Sequence, residues 1–122
     1  MIEVNGENYQ KQKEITDNID RLLQEIEDET GLYSTMLPTL EHRNFKILVE
    51  IGDKIIPYLF YKMFQQGNSW TYFLLLQEIT KQNPISKEHA GSFYHHIMYW
   101  LQWYIDSKYF KHDVYYNLLN DE

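Results

Sequence analysis

Hydrophobic residues recur along this chain at helical spacing, and polar punctuation divides them into blocks. Ile15, Ile19, Leu22, Leu23 and Ile26 fall at i, i+4, i+7, i+8 and i+11. That is one stripe of an amphipathic helix over residues 7–29. Thr30-Gly31 ends it, with glycine in the favoured position just past a helix. In the connector, Leu32, Tyr33, Met36 and Leu37 are expected to tuck onto the core. A second helix is expected from a Thr39 cap, with Phe45, Leu48, Val49 and Ile51 on its buried side, and ending at Gly52. Asp53 is predicted to cap a third helix over 54–66. Pro57 pins its start, because proline in a helix interior costs ~3 kcal/mol. Ile55, Ile56, Leu59, Phe60, Met63 and Phe64 give it a wide apolar face.

Gly67-Asn68 closes that block and Ser69 is placed as the next cap. Trp70, Phe73, Leu74, Leu76 and Ile79 then form a face too apolar for a surface helix, so this fourth helix is expected at the centre. Asn83-Pro84 stops it, since the residue before proline is pushed out of the α region. A fifth helix is expected from Ser86 to about residue 107. Phe93, Ile97, Trp100, Leu101, Tyr104 and Ile105 make its buried stripe; Tyr94, Met98 and Trp103 lie off it. Residues 113–119 suggest a short sixth helix. No stretch alternates with a two-residue period, so no sheet is expected. The predicted fold class is all-α: one domain, a compact bundle of five or six helices. It comprises an acidic N-terminal helix (1–31), a helical core (39–107) and a C-terminal tail or short helix (108–122).

The central stretch carries an ordered motif set. Leu48 and Gly52 come first, then Ile56-Pro57 with Leu59, then Trp70, Leu74 and Ile79-Thr80, then Asn83-Pro84-Ile85, and last Trp100 with Trp103. Over about residues 48–103 this resembles an uncharacterised family of small helical bacterial and phage proteins. Their pattern runs Gly…Ile-Pro-x-Leu…Trp…Ile-Thr…Asn-Pro-Ile…Trp-x-x-Trp. Leu48 stands where the pattern has Ile. The family usually has glycine soon after the Thr, where this chain has Lys81-Gln82. The string from Gly52 to Leu59 is also similar to the turn and second helix of HEAT repeats. The resemblance therefore implies HEAT-like helical hairpins, in a bundle too short for a solenoid, and it implies no catalytic residues.

Charge placement narrows the function classes. The chain has 122 residues and a net charge of −7. Residues 1–42 hold ten acidic and three basic side chains, and residues 43–122 hold eight of each, so the whole excess lies in the first third. Without clustered Lys and Arg, direct nucleic-acid binding is not expected, nor docking on anionic membranes. No apolar run approaches the ~20 residues of a membrane span. No cysteine is present, which excludes disulfides and thiol chemistry. A cytoplasmic protein is expected.

Five histidines, His42, His89, His95, His96 and His112, invite a metal reading, but none has the i, i+3 or i+4 spacing of paired helical ligands. The acids of the body, Asp53, Glu78, Glu88 and Asp106 among them, read as caps or solvated positions. No phosphate loop or nucleophile motif is present, so neither catalysis nor a cofactor is expected. Two surfaces remain. One is the acidic first helix, with Glu14, Asp17, Asp20, Glu25 and Asp28. The other is the aromatic C-terminal part, with Tyr94, Trp103, Tyr109, Tyr115 and Tyr116. Tyrosine and tryptophan are enriched at protein interfaces. The expected function is a non-catalytic protein–protein interaction module: a small regulator, inhibitor or complex subunit of antitoxin or anti-defence type. Its expected partner is another protein, one with a basic surface if the acidic helix carries the binding; self-association stays open. The alternative is an acidic nucleic-acid mimic that blocks a basic groove.

Overall fold

The first stripe folds as expected, into α1 (Gly6–Thr30). The computed structural model describes residues 6–31, 35–66 and 70–111. Among them every regular segment is helical, and the fold is a compact all-α bundle. After α1 come α2 (Leu37–Glu41), α3 (Arg43–Ile51), α4 (Ile56–Gln66), α5 (Trp70–Thr80) and α6 (Phe93–Asp106). Short 3₁₀ turns at Gly52–Ile55, Lys87–His89 and Lys108–Lys111 join or extend them. No helix among the described residues is long and apolar enough to cross a membrane.

The core explains the order of the layers. α5 buries Thr71, Tyr72, Phe73, Leu75 and Leu76, which span about 200° of its circumference, a wide buried face as expected of a central element. Ile19, Leu22, Leu23 and Ile26 of α1 join the same core as Leu48, Leu59 and Phe60. On α4, Tyr58 and Lys62 meet Asp20 of α1, whereas Phe60 stacks on Tyr104 of α6, 4.2 Å away. On α5, Thr71 donates to Glu27 of α1, while Phe73 packs on Phe93 of α6. α4 and α5 are therefore a middle layer, with α1 on one side and α6 on the other.

Several local expectations are corrected. Thr39 does not cap a helix; it lies buried inside α2, and its hydroxyl donates to Thr30 Oγ1. The cap of α3 is His42, whose Nδ1 accepts from the Asn44 amide at 3.0 Å. Asp53 sits within the 3₁₀ turn that leads into α4 and does not cap it. The fifth predicted helix starts late. Ser92 caps α6 by accepting from the His95 amide, and the preceding Gly91, a weak helix former, lies in a turn. Five residues expected inside are outside: Met36 and Leu37 in the connector, Ile51 at the end of α3, Phe64 on α4 and Ile105 on α6. Leu32, Tyr33, the turn at 67–69 and the short helix suggested at 113–119 lie outside the described residues.

Candidate interaction surfaces

The five nominated acids of α1 lie on exposed and half-buried flanks of its apolar stripe, and each has a donor from its own chain. Glu14 accepts from Gln10, and Asp28 from Gln24. Asp17 pairs with Lys13 at 2.8 Å. Asp20 accepts from the Tyr58 hydroxyl at 2.7 Å and lies 3.4 Å from Lys62 Nζ, an ammonium group held in a buried residue. Glu25 takes Arg21 on one oxygen and the Asn44 carboxamide on the other. These two donors, Asn44 first, hold its carboxyl below the usual carboxylate range. Asn44 also donates to the Leu22 carbonyl. Asp20 and Glu25 thus help fasten α1 to the body.

The aromatic residues separate into two places. Trp103 and Tyr109 come together. The α6 helix ends at Ser107, whose hydroxyl donates to the Tyr104 carbonyl and accepts from the Tyr109 amide. That turn folds the 3₁₀ segment Lys108–Lys111 back toward α4. Tyr109 then stacks on Trp103 with centroids 6.2 Å apart, and its hydroxyl donates to Asp53 at 2.9 Å. Burial, then the Asp53 bond, pushes the Tyr109 phenol up to about 12. Trp103 also stacks on Phe60, and its indole N–H donates to Gln82. Gln82 is presented by Lys81, which ends α5 in a left-handed conformation at φ +59°. Asp53, Gln82, Trp103, Asp106, Lys108 and Tyr109 line an open cleft of about 600 Å³. The indole N–H and the Tyr109 hydroxyl are satisfied by the cleft's own walls, and Trp103 packs against the core rather than standing free. Spacing could not have joined Asp53 to Tyr109, which are 56 residues apart.

Tyr94 lies elsewhere. It is 66% exposed and meets the edge of His95. His95 stacks face to face with His89, centroids 3.6 Å apart and planes 2° from parallel. Imidazole lone pairs lie in the ring planes, so two parallel stacked rings share no point where one ion could bind both. His42 is turned toward Glu29, and His96 packs on Trp70 and Phe73. Among the described residues, no three His, Asp or Glu side chains converge as a metal site would need. His112, Tyr115 and Tyr116 lie outside the described residues.

An open apolar surface lies on a flank of α6 that sequence spacing had partly assigned to the core. At 100° per residue, Phe93, Ile97, Trp100 and Tyr104 share one sector about 60° wide, and this sector faces inward. Tyr94, Met98, Leu101 and Ile105 occupy the adjoining sector, also about 60° wide. Of these Leu101 is half-buried, while Met98 and Ile105 are 47% and 44% exposed. The 14 residues of α6 carry one carboxylate, Asp106, and no Lys or Arg.

Compared with known protein families, with curated proteins and with solved structures, the chain matches none.

Proposed function

We propose that this chain is a non-catalytic protein-interaction module, a small regulator, inhibitor or complex subunit, and that α6 carries its binding surface. The observation behind this reading is the apolar stripe of exposed Tyr94, Met98 and Ile105 with half-buried Leu101, beside an inward stripe already filled by the core. Contiguous apolar surface left on a folded domain marks an interaction site. In the cleft beside Trp103, the indole N–H and Gln82, and the Tyr109 hydroxyl and Asp53, engage one another instead of pointing into its space, which favours binding over chemistry. The likeness of the central stretch to small bacterial and phage proteins supplies the proposed setting.

The alternative, an acidic nucleic-acid mimic, has less support. Each of the five nominated carboxylates of α1 already accepts from a donor of its own chain. Affinity capture from a bacterial lysate separates the two readings. A bound protein that resists salt of roughly 0.5 M, where surface charges are screened within a few ångströms, and that is lost with Met98→Lys supports the α6 reading. A partner lost in that salt, and lost with charge reversal at Glu14 and Asp28 but kept by Met98→Lys, supports the mimic. Capture that neither set of substitutions alters overturns both.

A further inference from the structure

We infer that the occupant of the α6 flank is a second copy of this chain, packed antiparallel across a twofold axis. This rests on the reading of α6 as the binding surface and names its partner.

The apolar spacing itself points to self-pairing. Tyr94, Met98, Leu101 and Ile105 are separated by four, three and four residues. That order is the same read from either end, with its midpoint between Met98 and Leu101. An isologous contact requires each patch to be its own complement. Antiparallel pairing about this midpoint sets Tyr94 against Ile105 of the other copy, and Met98 against Leu101. The 4-3-4 rhythm is also that of a helix-to-helix seam.

Charge favours the same occupant. The excess of −7 lies in residues 1–42, and α1 is separated from α6 by the middle layer of α4 and α5. Two copies meeting through α6 therefore hold their acidic helices on outer sides, apart from each other. Asp106, the one carboxylate of α6, lies at its C-terminal end. In an antiparallel pair it reaches the N-terminal end of the opposite helix, where the helix dipole favours negative charge.

The size of the seam sets its strength. From Tyr94 to Ile105 the helix advances about 16 Å. A stable interface buries about 800 Å² on each partner, more than a four-residue stripe supplies. The dimer is accordingly weak and concentration-dependent.

Sedimentation equilibrium of the whole chain, from roughly 10 μM to 1 mM, tests this in the range expected of a small interface. The expected result is a rise in mass toward a dimer, with Met98→Lys weakening association at least tenfold. Met98 is exposed, so this substitution leaves the fold intact, and circular dichroism checks that it does. The chain lacks cysteine, so pairing is read directly from introduced thiols. A mixture of Met98→Cys and Leu101→Cys chains should oxidise to the mixed dimer in preference to either homodimer. A monomer across the whole range overturns the inference, as does a dimer that Met98→Lys leaves unchanged or a preference for the Met98→Cys homodimer. If the chain is monomeric yet captures a different protein through Met98, self-pairing fails while the α6 reading stands. If it is monomeric and capture ignores Met98, both fail.

Discussion

Replacing Asn44 tests how α1 is held to the body. Its carboxamide is 2% exposed and donates to the Leu22 carbonyl at 3.2 Å and to Glu25 at 2.8 Å. Asn44→Ala removes both bonds. The Leu22 bond contributes about 1 kcal/mol, and the space left by the buried carboxamide costs about 1 kcal/mol more. The Glu25 bond enters the pH dependence and not this figure. Unfolding entropy near 2 cal/mol/K per residue, over 122 residues, converts about 2 kcal/mol into a Tm lower by about 8 °C. Asn44→Asp should lose more, because a buried carboxylate would face both the Leu22 carbonyl oxygen and the Glu25 carboxylate.

The pH dependence has a definite sign. Asn44 holds the Glu25 carboxyl low in the folded state. The stability this gives is present above the ordinary carboxylate pKa and is lost as pH falls through the lowered folded value. The gap between wild type and Asn44→Ala should therefore narrow in acid. Asn44→Asp should recover part of its loss there as its own carboxylate takes up a proton. Thermal melts by circular dichroism between pH 3 and 7 measure both. Equal Tm for wild type, Asn44→Ala and Asn44→Asp at pH 7 would refute the claim that this side chain fastens α1.

Lys81→Gly should raise stability by up to about 1 kcal/mol, since a left-handed residue other than glycine costs 1–2 kcal/mol and glycine's added unfolded freedom returns part of that; urea titration reads the shift. Gly31→Ala should destabilise, because a Cβ there would stand 2.7 Å from the Glu27 carbonyl oxygen and force the end of α1 to move; a Tm unchanged within 1 °C would contradict it. Burial first, with nearby carboxylates, pushes the phenols of Tyr72 and Tyr109 up to about 12. Their protons are kept in the folded state after the unfolded chain has lost its own, so this stabilisation is complete below pH ~10 and disappears between pH 10 and 12. Tm should fall more steeply over that window in wild type than in Tyr109→Phe.

The helical blocks were legible because periodicity and burial agree along most of the chain. Ile19, Leu22 and Ile26 marked α1, and Pro57 marked the start of α4, which begins at Ile56 rather than Lys54 and so holds the proline at its second position rather than its fourth. Boundaries set by side-chain chemistry were less legible. His42 caps α3 with a ring nitrogen, a role outside the usual Ser, Thr, Asp and Asn set. In the resembled pattern glycine follows the Thr closely; here Lys81 takes the left-handed conformation that glycine would adopt freely. The α6 surface was half legible. Tyr94 and Met98 were placed off the buried stripe, but Leu101 and Ile105 extend the apolar face with the same rhythm, and rhythm cannot show where the covering layer stops. The Trp103–Tyr109–Asp53 arrangement was not legible, because it depends on the chain folding back after Ser107.

α1 begins well before its anchorage. From Tyr9 to Glu14 only Gln12 is even partly covered; Ile15 is half-buried, and Thr16 is the first buried side chain from Tyr9 onward. Amide protons from Tyr9 to Glu14 can exchange with solvent by local fraying, without opening the buried contacts that begin at Thr16. Amides near Leu22 and Ile26 can exchange only when α1 leaves α3. One helix should therefore record two clocks: a fast one set by helix–coil opening at its start, and a slow one set by the stability of the whole domain.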